Sequence, residues 1–192
     1  QVVEVYRPVS FDEELELSMW MSRVGKTSME FSHDLVRCRD GELVGRSSAT
    51  IVAPDGARRP AVIKEGASEF LVDRDAVHAE RLDAPPPDDA WGRTVDIRPS
   101  DHDLQQHVNH ARYADFLEDT RMLCSEAGGY GPGAWNAPAR RLTLTYEHET
   151  RAGDDVVART WRTPGRERSV DFALVKSSGI VTTKGRIAFG EW

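Results

Sequence analysis

Twice in this 192-residue chain, four long stretches of alternating apolar and polar residues follow one another with little more than a turn between them. That repeat restricts the fold more than any other feature. Alternation is the period of a strand with one buried face, and consecutive strands joined by tight turns pair antiparallel. The first set is expected at residues 2–10, 14–24, 27–37 and 42–53, with Leu15, Leu17, Met19 and Met21 sharing a face. Gly25-Lys26 and Asp40-Gly41 supply turns between these strands. The second set is expected near 140–150, 155–163, 167–176 and 180–190. The copies echo each other at an offset near 140: Tyr6 with Tyr146, Gly25 with Gly165, and Gly45-Arg46 with Gly185-Arg186. After a slip of one residue, Ser28-Met29-Glu30-Phe31 resembles Ser169-Val170-Asp171-Phe172.

Only the second copy is preceded by further elements. Residues 91–98 read as a strand, and a helical stripe follows from Asn109 through Tyr113, Phe116, Leu117, Thr120, Leu123, Cys124 and Ala127, ended by Gly128-Gly129. Residues 66–82 are ambiguous, with weak helical character, and the Pro-rich run 83–89 reads as a stiff, exposed linker. The first copy begins at Val2 without a helix, so its apolar face is expected to be uncovered. Either a segment of roughly one strand plus one helix ahead of Gln1, inferred from the repeat unit, or another chain, as in a homodimer, is expected to cover it. The Gly/Pro-rich stretch 128–138 around Trp135 reads either as an entrance lid or as a plain connecting loop.

The chemistry-bearing stretch runs from Asp101 to Tyr113 and centres on His107-Val108-Asn109. It gathers Asp103, Gln105 and His107 just ahead of a helix N-terminus, where unpaired N–H groups and the helix dipole favour developing negative charge. Such a place can polarise a carbonyl. Asp103 could equally be a turn or capping residue, Asn109 reads as the helix cap, and Tyr113 as core.

One strand, a loop with the pattern D-x-x-x-H-V-N-x-x-x-Y, a central helix and four antiparallel strands resemble the hotdog fold. More narrowly the chain resembles the acyl-ACP thioesterases, which carry two hotdog units in one chain, and the related acyl-CoA thioesterases. The resemblance implies an α+β, tandem (double) hotdog fold. Residues 1–64 form a partial unit lacking its strand–helix start, 65–90 a linker, and 91–192 a complete unit carrying the site. It implies hydrolysis of an acyl thioester to a free acid, in fatty acid or polyketide metabolism, on a carrier-protein or CoA substrate. Carried over by residue, the catalytic positions fall on Asp103, Gln105 (where the plant-type enzymes usually have asparagine), His107 and Glu149. Val108, Asn109 and Tyr113 are the expected substrate-side residues. The position after the glutamate, a cysteine in some relatives, is Thr150. His107 would orient the base or protonate the leaving sulfur. Strict alternation from Tyr146 puts Glu149 on the opposite face, so it reaches the site only if a bulge re-aims it or the site lies on that face, and His148 is the alternative. The first copy, with Val9 at the position of Glu149, is expected to be catalytically empty and to form the opposing wall. Two rival readings remain: a hotdog dehydratase or hydratase, and a non-catalytic acyl-binding or assembly protein. The hydratase pattern D-x-N-P-x-H is missing, since His102 stands where its Asp would.

A net charge of −7 argues against general nucleic-acid binding. Arg58-Arg59, Arg140-Arg141 and the arginines at 37 and 39 are candidates for a CoA phosphate or an acidic carrier. No apolar run approaches a membrane span, and Cys38 and Cys124 show no metal or disulfide spacing, so a cytoplasmic setting is expected. No motif for a cofactor stands out, and the histidine spacing matches no standard zinc pattern.

Overall fold

A computed structural model describes residues 1–190 except 58, 104, 105 and 134. The chain divides into two units, Gln1–Ala79 and Glu80–Glu191. In the first, strands β1 (Val2–Val5), β2 (Leu15–Val24), β3 (Ser28–Arg37) and β4 (Leu43–Val52) pair antiparallel in the order β2-β3-β4-β1. In the second, β5 (Trp91–Val95), β6 (Ala139–Tyr146), β7 (Val156–Arg162), β8 (Ser169–Lys176) and β9 (Val181–Phe189) take the order β6-β9-β8-β7-β5, again antiparallel. The one α-helix among the described residues is α1 (His110–Glu126).

Helix α1 supplies the core of the second unit. Tyr113, Phe116, Leu117, Thr120, Arg121 and Cys124 are buried, at the i, i+3, i+4, i+7, i+8, i+11 spacing of one helical face. They pack with Val95, Leu144, Ala158, Phe172, Leu174 and Ile187. The stripe differs from its sequence expectation in two places, the first being Ala127 at its end, which is exposed. Leu123 is 44% exposed, and Arg121 is buried instead. The guanidinium of Arg121 satisfies the carbonyl oxygens of Trp135 and Ala137 and pairs with Glu118, which makes its burial tolerable. That contact, with Tyr130 and Trp135 buried, ties 128–138 into the core. The helix ends in a Schellman motif: Gly129 N–H donates to Cys124 O, Gly128 N–H to Ser125 O, and Gly128 takes a φ of 71°.

The apolar row of the first sheet is uncovered, as expected, and the opposite, polar face is the buried one. Leu17 and Met19 are exposed, whereas Trp20, Glu30, Ser32, Asp34 and Ser48 are buried. The covering element is an extended segment, not the helix suggested by 66–82; only Ala67–Phe70 form a 3₁₀ turn. Val72 N–H donates to Met21 O, Arg74 lies 4.4 Å over the Trp20 ring and reaches Asp34 at 2.6 Å, and His78 Nδ1 is 3.1 Å from Glu30. A polar strap thus requires a polar face beneath it. The next stretch does the same on the second sheet: Glu80 takes Arg186 and Arg166, each at 2.9 Å, Leu82 is buried, and Lys184 donates to Asp83 O, while 83–89 are exposed apart from the half-buried Pro86 and Pro87.

The repeat is visible in cross-strand chemistry. Arg46 forks onto Asp34 at 2.5 and 2.9 Å, and Arg186 onto Asp171 at 2.5 and 3.0 Å. Asp34, not Glu30, is therefore the counterpart of Asp171, because the sequence pairing ignores the different lengths of the two hairpins.

Candidate active site

The loop ahead of α1 is folded by its own polar groups. Asp101 is 1% exposed; its carboxylate accepts Arg98 N–H and Arg112 Nε, both at 2.8 Å, and its carbonyl accepts Asn109 N–H at 2.8 Å. Burial alone would lift the Asp101 carboxyl, but the Arg98 N–H and the Arg112 guanidinium outweigh it and hold the group below the usual aspartate range. His102 and Val108 bridge, and within them Asp103 N–H donates to His107 O at 2.8 Å. Asp103 Oδ1 accepts His107 N–H at 3.2 Å. Gln106 closes this tight loop at φ 64°, a left-handed conformation that costs a non-glycine residue energy and clusters at functional sites. Asn109 Oδ1 caps the helix by accepting Ala111 N–H at 2.9 Å. Gln105 lies outside the described residues.

Glu149 arrives from β6. The strand ends at Tyr146, and the N–H groups of Glu147 and His148 both converge on Thr182 O, at 2.8 and 3.1 Å. Two residues facing one acceptor make a bulge, which breaks the alternation. Glu149 Oε2 thereby comes within 3.2 Å of His107 Nε2. Both border a cleft of about 210 Å³ at the N-terminus of α1, with Val108 and Tyr113 among its walls. His110 stacks on Tyr146 across it, ring centroids 4.4 Å apart. Burial pushes both the Tyr113 and Tyr146 phenols up, Tyr113 being partly relieved by Thr150 and Thr183, so these hydroxyls stay protonated.

Arg151, which sequence reasoning passed over, completes the group. Its Nη2 is 2.6 Å from Glu149 Oε2 and 3.4 Å from His107 Nε2. No local sequence signal marks it, because the contact depends on the turn after the bulge.

Backbone accounting around the motif singles out one donor. The N–H of His107 goes to Asp103, of Val108 to Thr150 O, of Asn109 to Asp101 O, of Ala111 to the Asn109 side chain, and of Arg112 to Asn109 O. Among these consecutive groups, His110 N–H at the first helical position is left to point out of the helix, as the first turn of a helix requires. Cys124 is buried near the C-terminus of α1, its thiol pushed up by burial, and Cys38 is exposed in the first unit. Among the described residues no group of three or more His, Cys, Asp or Glu side chains could hold a metal ion. No helix among them is long and apolar enough to cross a membrane. Of the arginines considered for anions, Arg37 is buried and paired with Glu13, Asp40 and Glu42, Arg39 pairs with Glu13 and Asp40, and Arg59 with Asp55. Arg58 lies outside the described residues.

An antiparallel sheet with one helix, arranged in this way, matches solved acyl-ACP thioesterases. The 12:0-ACP thioesterase from Umbellularia californica aligns with a TM-score of 0.79 at 19% identity, covering 98% of this chain and 72% of that one. An acyl-ACP thioesterase from Bacteroides thetaiotaomicron aligns with a TM-score of 0.74 at 16% identity, covering 98% and 74%. A search of curated proteins by sequence finds no match. Residues 86–191, more than half of the chain, match the acyl-ACP thioesterase C-terminal domain, and the chain belongs to that family. It is a thioester hydrolase.

Proposed function

We propose that this protein hydrolyses acyl-ACP through the Glu149–His107 pair. The observation that carries the reading is the 3.2 Å contact between these side chains at the helix N-terminus. The thioester carbonyl oxygen sits at His110 N–H, where the helix dipole stabilises the oxyanion. Glu149 accepts a proton from water as the water oxygen attacks the carbonyl carbon. The tetrahedral intermediate then breaks its C–S bond, and His107 Nε2–H protonates the departing sulfur. The proton held by Glu149 returns to Nε2, so acyl thioester and water give acid and thiol with both residues restored. Asp103 acts one step back: its carboxylate fixes the His107 backbone. Val108 and Tyr113 shape the wall against the acyl group, and Asn109 holds the helix start.

We read the domain plan in the same terms. Residues 1–64 form a partial hotdog unit, 65–90 connect, and 91–192 form the complete unit with the site. The matching arginine–aspartate forks of the two sheets support a tandem hotdog. Acyl carrier protein is the substrate head group that family membership supports; CoA is the competitor to test against it.

Glu149→Gln and His107→Ala, assayed on medium-chain acyl-ACP and acyl-CoA, are expected to lower kcat/KM about 10²–10⁴-fold, the range for loss of a general acid or base. Full activity in both variants would overturn the assignment. A wild-type preference for CoA would move the substrate reading.

A further inference from the structure

The Glu149–His107 pair is not alone: the guanidinium of Arg151 closes on it. Arg151 Nε and Nη2 lie 3.2 and 2.6 Å from the same Glu149 oxygen that meets His107, and Nη2 is also 3.4 Å from His107 Nε2. We propose that Arg151 is a positioning residue that keeps the Glu149–His107 pair in its base form, Glu149 as a carboxylate and His107 neutral. The proposal rests on the assignment of those two residues to the reaction.

The geometry forces this direction. A guanidinium only donates hydrogen bonds, so Arg151 can satisfy His107 Nε2 only when that nitrogen carries no proton. Glu149 can be satisfied by the same ring only when Nε2 carries one. The two contacts therefore belong to alternate tautomers of one neutral ring, or to the stages before and after the proton leaves for sulfur. A doubly protonated ring would face the guanidinium with like charge. The cation thus disfavours imidazolium and protonated carboxyl alike. Arg151 is itself held, since its N–H donates to Asp154 Oδ2 at 2.8 Å and Asp154 pairs with Lys176 at 2.8 Å.

Other groups face the pair without duplicating this effect. Glu147 is engaged by Lys184 at 3.1 Å. His110 and His148 border the cleft, with the two protonated phenols behind them. Asp103 Oδ1 accepts the backbone N–H of His107 at 3.2 Å. Arg151 is in direct contact with both members of the pair.

The test is the pH dependence of kcat/KM in three forms of the enzyme. Arg151→Gln keeps a hydrogen-bonding side chain and removes the charge; Arg151→Lys keeps the charge. At these separations in a water-like dielectric, the lost attraction corresponds to about one pH unit. Arg151→Gln is therefore expected to move the acid limb up by about one unit, a roughly tenfold loss of kcat/KM below the limb. Arg151→Lys is expected to restore the wild-type limb. A wild-type profile for Arg151→Gln overturns the proposal, and so does an equal shift in Arg151→Lys, which would trace the effect to contact and not charge. Full activity in Glu149→Gln would instead overturn the underlying assignment, whatever Arg151 does. Because Arg151 is 54% exposed at its side chain, neither substitution opens a cavity in the core.

Discussion

Asp101 anchors the loop ahead of α1 at both ends, and Asp101→Asn measures how much of the fold rests on it. The carboxylate accepts two short bonds, from Arg98 N–H and Arg112 Nε, both at 2.8 Å. Asparagine offers one oxygen, so its NH2 must face the second donor. A hydrogen bond to a charged group contributes about 1.5–3 kcal/mol, and the buried donor left without an acceptor adds a further cost. The Arg112 side chain is 35% exposed, so part of its share is screened by solvent. Together these give a loss of about 3 kcal/mol. For a chain of this size that is a fall in Tm of roughly 6–12 °C. Urea unfolding at pH 7, followed by circular dichroism and by the tryptophans of the second unit, reads the difference. The folded pKa of Asp101 lies below its ordinary value of 3.8. Its stabilisation is therefore fully present above that value and is lost as pH falls through the lower folded one. Asparagine does not titrate, so the gap between the two proteins must narrow on acidification. A difference under about 0.5 kcal/mol at pH 7, the scale of a neutral surface change, would refute the reasoning, and so would a gap that widens in acid.

Two further substitutions test neighbouring contacts. Asn109→Ala removes the helix cap and should cost about 1 kcal/mol, with Asn109→Ser restoring most of it in thermal melts. Because the cap also orients His110 N–H, kcat should fall more than KM rises in steady-state kinetics. Gly185→Ala places a Cβ 2.7 Å from Leu117 Cδ1 and 3.2 Å from Leu144 Cδ2. Both leucines are buried, so overpacking should cost about 1–3 kcal/mol in denaturant titration.

What could be read from the residues divides along physical lines. The second set of strands and the start of α1 follow from period and capping, signals that lie within a few residues of one another: Asn109 caps, and Tyr113, Phe116 and Leu117 set the face. Glu149 is different. Alternation sends it away from Tyr146, and only the two N–H groups meeting at Thr182 O bring it back. That bulge depends on a strand more than thirty residues further on, so no local pattern announces it. Arg151 escapes notice for the same reason. Arg121 reads as surface because it is charged, yet it is buried by the backbone carbonyls it satisfies. In the first unit the apolar row of β2 is exposed, as expected, but a charged strap buries the opposite face. Nothing local to β2 indicates that residues 71–79 would return over it.

The strap has a practical consequence. Each of its halves is tied to the sheet of its own unit: Arg74 and His78 to Asp34 and Glu30, Glu80 and Lys184-bound Asp83 to the second sheet. A nick between Ala79 and Glu80 would leave every one of these ties intact. Cleavage at that bond is thus expected to leave each half of the strap seated on its own sheet.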